Sequence, residues 1–382
     1  MTEKKLDILK KIAGGELTAE EGQKLLDELE KEAKGYIRLG WSSSRTIPPH
    51  ELDRLIANIS PFVTPEFMLE LNSMDTDITY AQLKDMILRH VNPEYIKGLA
   101  ELGYELSDKQ LVKFILHDVN TDYIIDLKEL GYIDLSPNQL IKLRIHGVTP
   151  EFILKLKDVG YTDLSVRELL QIAIHDIYSE FIAELQALGY ENLSVKQLLK
   201  MRIHDVSPEF ITEMKELGYS NLTVKELVKM QIHGVIPEFV KNLNALGFND
   251  LFSDQLVEFR IHDVSPEFIE GWRELGFTNL SPKELVKMRI HGVSPEFFRE
   301  LTALGLTDLS VNELLKMAIH NVSPSFIKNM LELEFDELDS SELIRMRIHG
   351  VNASFVKRMQ DMDIKDLTVD KLIKIKIHGI FD

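Results

Sequence analysis

The sequence predicts an all-α chain: an α-solenoid of about eleven stacked two-helix repeats of 29 residues, preceded by a small helical hairpin. Three observations predict it. Ten histidines, His117 through His378, recur at steps of 29 residues without a slip, and a fixed period of 20–50 residues marks a solenoid or array. Each period holds two stretches with apolar residues at helical spacing, each bounded by start and stop signals. Nothing in the repeat alternates with period two, as a half-buried strand would.

The N-terminal residues, 1–35, do not follow the repeat. Leu6, Ile8, Leu9 and Ile12 make a short amphipathic helix, and Gly14-Gly15 a turn. Thr18, with Glu21 three residues on, forms a capping box that opens a second helix through Leu25, Leu26 and Leu29. Residues 36–49, with Trp41 and Pro48-Pro49, read as a linker, and 50–382 as the repeat domain.

The repeat spanning 207–235 shows the internal logic. Ser207 caps free N–H groups, Pro208 is preset for the first helical position, and Glu209 suits the positive end of the helix dipole. Phe210, Ile211, Met214 and Leu217 form the apolar face of this opening helix, and Gly218 ends it. Thr223 and Glu226 are the capping box of a closing helix whose apolar residues are Leu227, Val228, Met230 and Ile232. His233 and Gly234 stop it; at the Gly234 position other repeats carry Gly, Asp or Asn, the residues that most readily accept positive φ. Two short helices cannot bury their apolar faces alone, whereas stacked neighbours can. The first and last repeats depart from the pattern, with Pro61 and Arg89 in place of His and Glu334 or Asp363 in place of the opening-helix Gly, as terminal copies do. Valine at Gly218 is expected to destabilise its repeat, because a β-branched residue resists positive φ.

The stretch ILKKIAGGELTAEEGQKLLDELE resembles the SHOCT-like helical hairpin at the start of YvlB-type bacterial envelope stress proteins. That resemblance implies association through residues 1–35. The repeat, with its ELVKMRIHGVSPEF core, looks like helical repeats of unassigned function in bacterial proteins, some attached to BlaR-type membrane peptidases; no peptidase motif occurs in this sequence.

Composition excludes several functions. Net charge is −18, from 44 Lys and Arg against 62 Asp and Glu, which argues against non-specific nucleic-acid binding. With no cysteine there are no disulfides or thiolate sites, and a cytoplasmic location is expected. No apolar run approaches the ~18 residues of a membrane span. No phosphate-cradling glycine loop, no His-Glu-x-x-His and no paired acids of defined geometry occur, so neither an enzyme nor a cofactor is expected.

The candidate surface is the polar side of the closing helix. At about 100° per residue from Leu227, Lys229 and His233 fall together on that side. The pairs Lys142/His146, Lys200/His204, Lys229/His233, Lys287/His291 and Lys316/His320 then form a repeated basic ridge, either simply solvated or a docking site for an acidic partner. The histidine reads first as a helix-end contact to free carbonyls, and second as a pH-sensitive contact. One per stacked repeat is roughly 10 Å from the next, too far to share a metal. The recurrent aromatic of the Ser-Pro-Glu-Phe start is expected in the core rather than as a base-stacking platform. Arg144, Arg202, Arg260, Arg289 and Arg347 fall inside the apolar sector and imply inter-repeat bonds, with Asp134, Asp163 or Asp250 as partners, or a binding groove. The function expected is a non-catalytic scaffold for a protein or peptide. The alternatives are an envelope-stress sensor and a binder of anionic polymers along the ridge.

Overall fold

A computed structural model describes residues 46–74, 78–335, 338–362, 364 and 367–379. The hairpin expected over 1–35, most of the linker, and Asp363 lie outside the described residues. Within them are twenty-three α-helices and one short 3-10 turn. The chain divides into two compact blocks, residues 1–178 and 179–382.

In the first block, opening helices α2 (Pro65–Asn72), α4 (Pro93–Glu101), α6 (Thr121–Glu129) and α8 (Pro150–Asp158) alternate with closing helices α3 (Tyr80–His90), α5 (Asp108–Leu116), α7 (Pro137–Ile145) and α9 (Val166–Ile174). Opening helices α4, α6 and α8 pack in succession, and so do the four closing helices, giving two layers. The chain before α2 departs from this scheme. Helix α1 (Pro49–Ile59) lies against α5, and the buried Ile47 donates its N–H to the Ile78 carbonyl at 2.8 Å. Thr46 and Ile47, the last part of the stretch read as a linker, are thus part of the packing beside α3.

The second block holds opening helices α10 (Ser179–Ala187), α12 (Pro208–Glu216), α14 (Pro237–Ala245), α16 (Pro266–Glu274), α18 (Pro295–Ala303), α20 (Pro324–Leu331) and α22 (Ala353–Asp361). Its closing helices are α11 (Val195–Ile203), α13 (Val224–Ile232), α15 (Ser253–Ile261), α17 (Pro282–Ile290), α19 (Val311–Ile319), α21 (Ser340–Ile348) and α23 (Val369–Ile377). The same two layers recur here, opening on opening and closing on closing. Eleven opening helices followed by eleven closing ones among the described residues make the fold all-α, an array of the α-solenoid class.

Local chemistry accounts for each helix end. The Ser207 hydroxyl accepts from the Phe210 N–H at 3.2 Å, and Thr223 and Glu226 cap one another's backbone N–H groups. At Gly218, φ is 99°; its N–H donates to the Lys215 carbonyl and the Tyr219 N–H to that of Met214, the two bonds of a Schellman stop. The closing helix stops in the same way, and the Gly, Asp or Asn after each of the ten repeated histidines has positive φ. Glu334, at the position where other repeats carry the opening-helix Gly, takes positive φ as well.

Between the layers lie Phe210, Ile211 and Met214 from an opening helix, with Leu227, Val228 and Met230 from the closing one. Each large apolar side chain buried contributes roughly 1.5–3 kcal/mol. The recurrent aromatic is core, at 0–9% exposure in nine repeats and half-buried at Phe152 and Phe297. Ile232 corrects the expected apolar set: it is 55% exposed. Leu227, Val228 and Met230 face the neighbours, whereas Ile232 points roughly 130° away from the middle of that sector.

Candidate functional site: the exposed ridge of the closing helices

Several recurrent polar side chains hold neighbouring repeats together. The Tyr104, Tyr132, Tyr190 and Tyr219 hydroxyls each donate, at 2.6–2.9 Å, to a carbonyl just before the closing-helix cap of the next repeat. Lys128, Lys157 and Lys215 reach back to the carbonyl that ends the previous opening helix, at 2.9, 3.1 and 2.6 Å. These carbonyls lie past the helix ladders and have no partner within their own helix, so each bond satisfies a group that would otherwise cost free energy.

The arginines predicted in the apolar sector act as clamps. Arg144 stacks over Tyr123 at 4.7 Å, donates its Nε to the Asp118 carbonyl at 2.8 Å, and pairs with the Asp118 carboxylate. Arg289 does the same with Phe268, at 4.5 Å, and Asp263. Arg202, Arg260 and Arg347 lie over Phe181, Phe239 and Phe326 at 5.1–5.4 Å. The bonds do link repeats, but the carboxylate is the stop residue one repeat back, rather than the acid expected before the closing-helix cap. Positive φ at Asp118 and Asp263 presents both carboxylate and carbonyl to the following closing helix. A guanidinium over a ring contributes about 0.5–2 kcal/mol, so these residues have an evident part in packing.

The predicted ridge cations stand differently. Lys142, Lys200, Lys287 and Lys316 are exposed and form no ion pair among the described residues, while Lys229 meets Asp254 at 2.7 Å. The histidines occupy the cap position, where the backbone N–H meets a helix carbonyl: His233 to Lys229, His204 to Lys200, His291 to Lys287 and His320 to Lys316. Burial, aided by Lys142, pushes the His146 imidazole below its ordinary pKa. No group of three His, Asp or Glu side chains suited to a metal occurs among the described residues.

What the sequence reasoning missed lies between them. Nine consecutive closing helices, α7 through α23, end on isoleucine, from Ile145 to Ile377, and every one is 40–58% exposed. The signal was present in the Ile-His pair that closes each of these helices, since the helical angle of Ile232 already places it outside the sector of its apolar neighbours. A residue type with nothing to gain from water is kept at one exposed position nine times, and in the seven stacked closing helices of the second block it stands one turn from a position that is mostly lysine or arginine. No family model matches this chain, and no curated protein matches it. The ridge is therefore assigned on its own chemistry.

The cap glutamates set the acid response. Glu313 is held at about 2, below the ordinary 4.5, by the Ser310 hydroxyl and N–H and then by the Ser340 hydroxyl at 2.8 Å. Glu168, Glu226 and Glu284 are lowered by equivalent bonds. A depressed carboxylate stabilises the fold above its unfolded pKa and loses that contribution as pH falls through the folded one. The melting temperature is thus expected to fall as pH drops from 4.5 towards 2. Glu313→Gln keeps the capping box, as Gln197 does in α11, and should shrink that fall; equal pH dependence of both chains in thermal unfolding would refute the assignment.

Proposed function

We propose that this chain is a non-catalytic scaffold that binds a protein or peptide along the ridge of its closing helices. The observation that supports this best is the exposed isoleucine carried by nine successive closing helices. Exposed apolar surface rimmed by charge is characteristic of partner-binding faces, and in the second block the rim includes Lys200, Lys287 and Lys316. Residues 1–35 serve the same reading as an association module, by resemblance to the SHOCT-like hairpin.

The test uses the immobilised full-length chain and extract from the native host. A specific protein is expected to be retained, and to be lost when Ile203, Ile232, Ile290 and Ile319 are changed to serine. Serine at these half-exposed helix positions leaves the core untouched, so circular dichroism should show the same helix content. Absence of any specific partner would sink the reading. Light scattering on a chain lacking residues 1–40 tests the hairpin: an unchanged mass together with unchanged partners removes its association role.

A further inference from the structure

We infer that the last four closing helices receive an acidic, extended segment of a partner protein whose apolar side chains recur at every third residue. This rests on the scaffold reading of the same ridge and names what occupies it.

Helices α17, α19, α21 and α23 stack one after another. Each ends on an exposed isoleucine: Ile290, Ile319, Ile348 and Ile377, at 50–58%. One turn before each isoleucine stands an exposed cation, Lys287, Lys316, Arg345 or Lys374. The stop residues that follow the histidines are uncharged here, Gly292, Asn321, Gly350 and Gly379. Acids in these four helices are confined to the first turn, where Glu284, Glu313 and Glu342 close capping boxes and Asp370 pairs with Arg345. The nearest following acid, Glu296, is held by Arg299 at 3.2 Å. The preceding helix, α15, differs on both counts: Glu258 stands at the cation position and Asp263 is the stop. The isoleucines from 290 onward therefore lie in a run of cations that begins only after Asp263, and the complementary ligand is anionic and apolar at once.

Pitch decides its conformation. Packed helices lie about 8–10 Å apart, so successive isoleucines present themselves at that interval. A polyproline II segment has three residues per turn and rises about 3.1 Å per residue, returning a side chain to the same face every ~9 Å. One turn of α-helix advances ~5.4 Å, and same-face residues of a strand are ~6.6 Å apart; neither keeps step. About ten residues in the polyproline II form place apolar groups on all four isoleucines, with carboxylates between them reaching Lys287, Lys316 and Lys374, Arg345 being held by Asp370. Such a backbone keeps its own polar groups in water, and so asks only side chains of the ridge.

The test is fluorescence anisotropy with the full-length chain and a labelled peptide of four Leu-Glu-Pro triplets. The comparison probes are the same composition shuffled out of period, polyglutamate of equal length, and phosphatidylserine vesicles. The triplet peptide is expected to bind at least about tenfold more tightly than the shuffled one. Ile319→Ser should weaken it about fivefold, the effect of half an isoleucine side chain. Lys316→Glu should weaken it comparably and flatten its salt dependence, while Ile203→Ser leaves it unchanged. Equal binding of triplet and shuffled peptides, or indifference to both Ile319→Ser and Lys316→Glu, overturns the inference. So does equal binding of polyglutamate or vesicles, which would make the ridge an unselective anion or lipid surface. A native partner that depends on Ile203 and Ile232 but not on Ile319 or Lys316 also overturns it, and leaves the scaffold reading standing.

Discussion

Trp272→Ala is expected to lower the stability of the chain by about 3–5 kcal/mol, the range for deleting a large buried aromatic. Trp272 on α16 is fully buried where other repeats carry Met214, Leu243 or Leu301, so it is the largest side chain at that core position. Its ring lies edge-on to Phe268 and Phe277 at 6.2 and 5.2 Å and tilted against Phe298 at 6.1 Å. Phe298 belongs to the next repeat, so the substitution weakens both the repeat and its interface, the two terms that sum to the stability of an array. Among the described residues the indole N–H finds no acceptor, a state that costs roughly 1–3 kcal/mol. Trp272→Phe removes that orphan donor along with some volume, and is expected to be much milder than alanine. Urea unfolding followed by circular dichroism separates the two; an alanine midpoint equal to that of the parent chain contradicts the packing described.

Gly218→Val is the second large effect, at about 1–3 kcal/mol. The cause is backbone, not crowding: φ is 99°, and a Cβ built there meets nothing within 4 Å. A β-branched side chain in that region clashes with its own carbonyl, so the strain stays even though space is free. Breaking the stop also frees the Lys215 and Met214 carbonyls that Gly218 and Tyr219 satisfy. Gly218→Ala should fall between the two, because one methyl group is a smaller violation. The same urea experiment decides it, and a valine midpoint at the parent value would remove Gly218 from the role of terminator.

Much of the fold was legible because its signals are local. Ser207, Pro208, Thr223 with Glu226, and Gly218 act on backbone groups within a few residues of themselves, so their pattern reads the same in the chain as in space. The aromatic core was legible for a related reason: helical periodicity put Phe210 on the face of Ile211 and Met214. The site was harder. Ile232 reads as one more apolar residue of its helix until the neighbours show which sector they cover. Arg144 was seen to enter the apolar side, but its acid is Asp118, twenty-six residues earlier, and no local rule selects Asp118 over Asp134. The fit of Thr46 and Ile47 beside α3, and of α1 against α5, carries no repeat signal at all.

By itself, then, the sequence determined the period, the two helices of every repeat and their start and stop points, because caps, prolines and positive-φ residues act through bonds a few atoms long. Only the tertiary structure decided which side chains the stacked neighbours cover. Exposure is a property of what packs alongside, and the same spacing that buries Leu227 and Met230 leaves Ile232, and its counterpart in eight other closing helices, facing water.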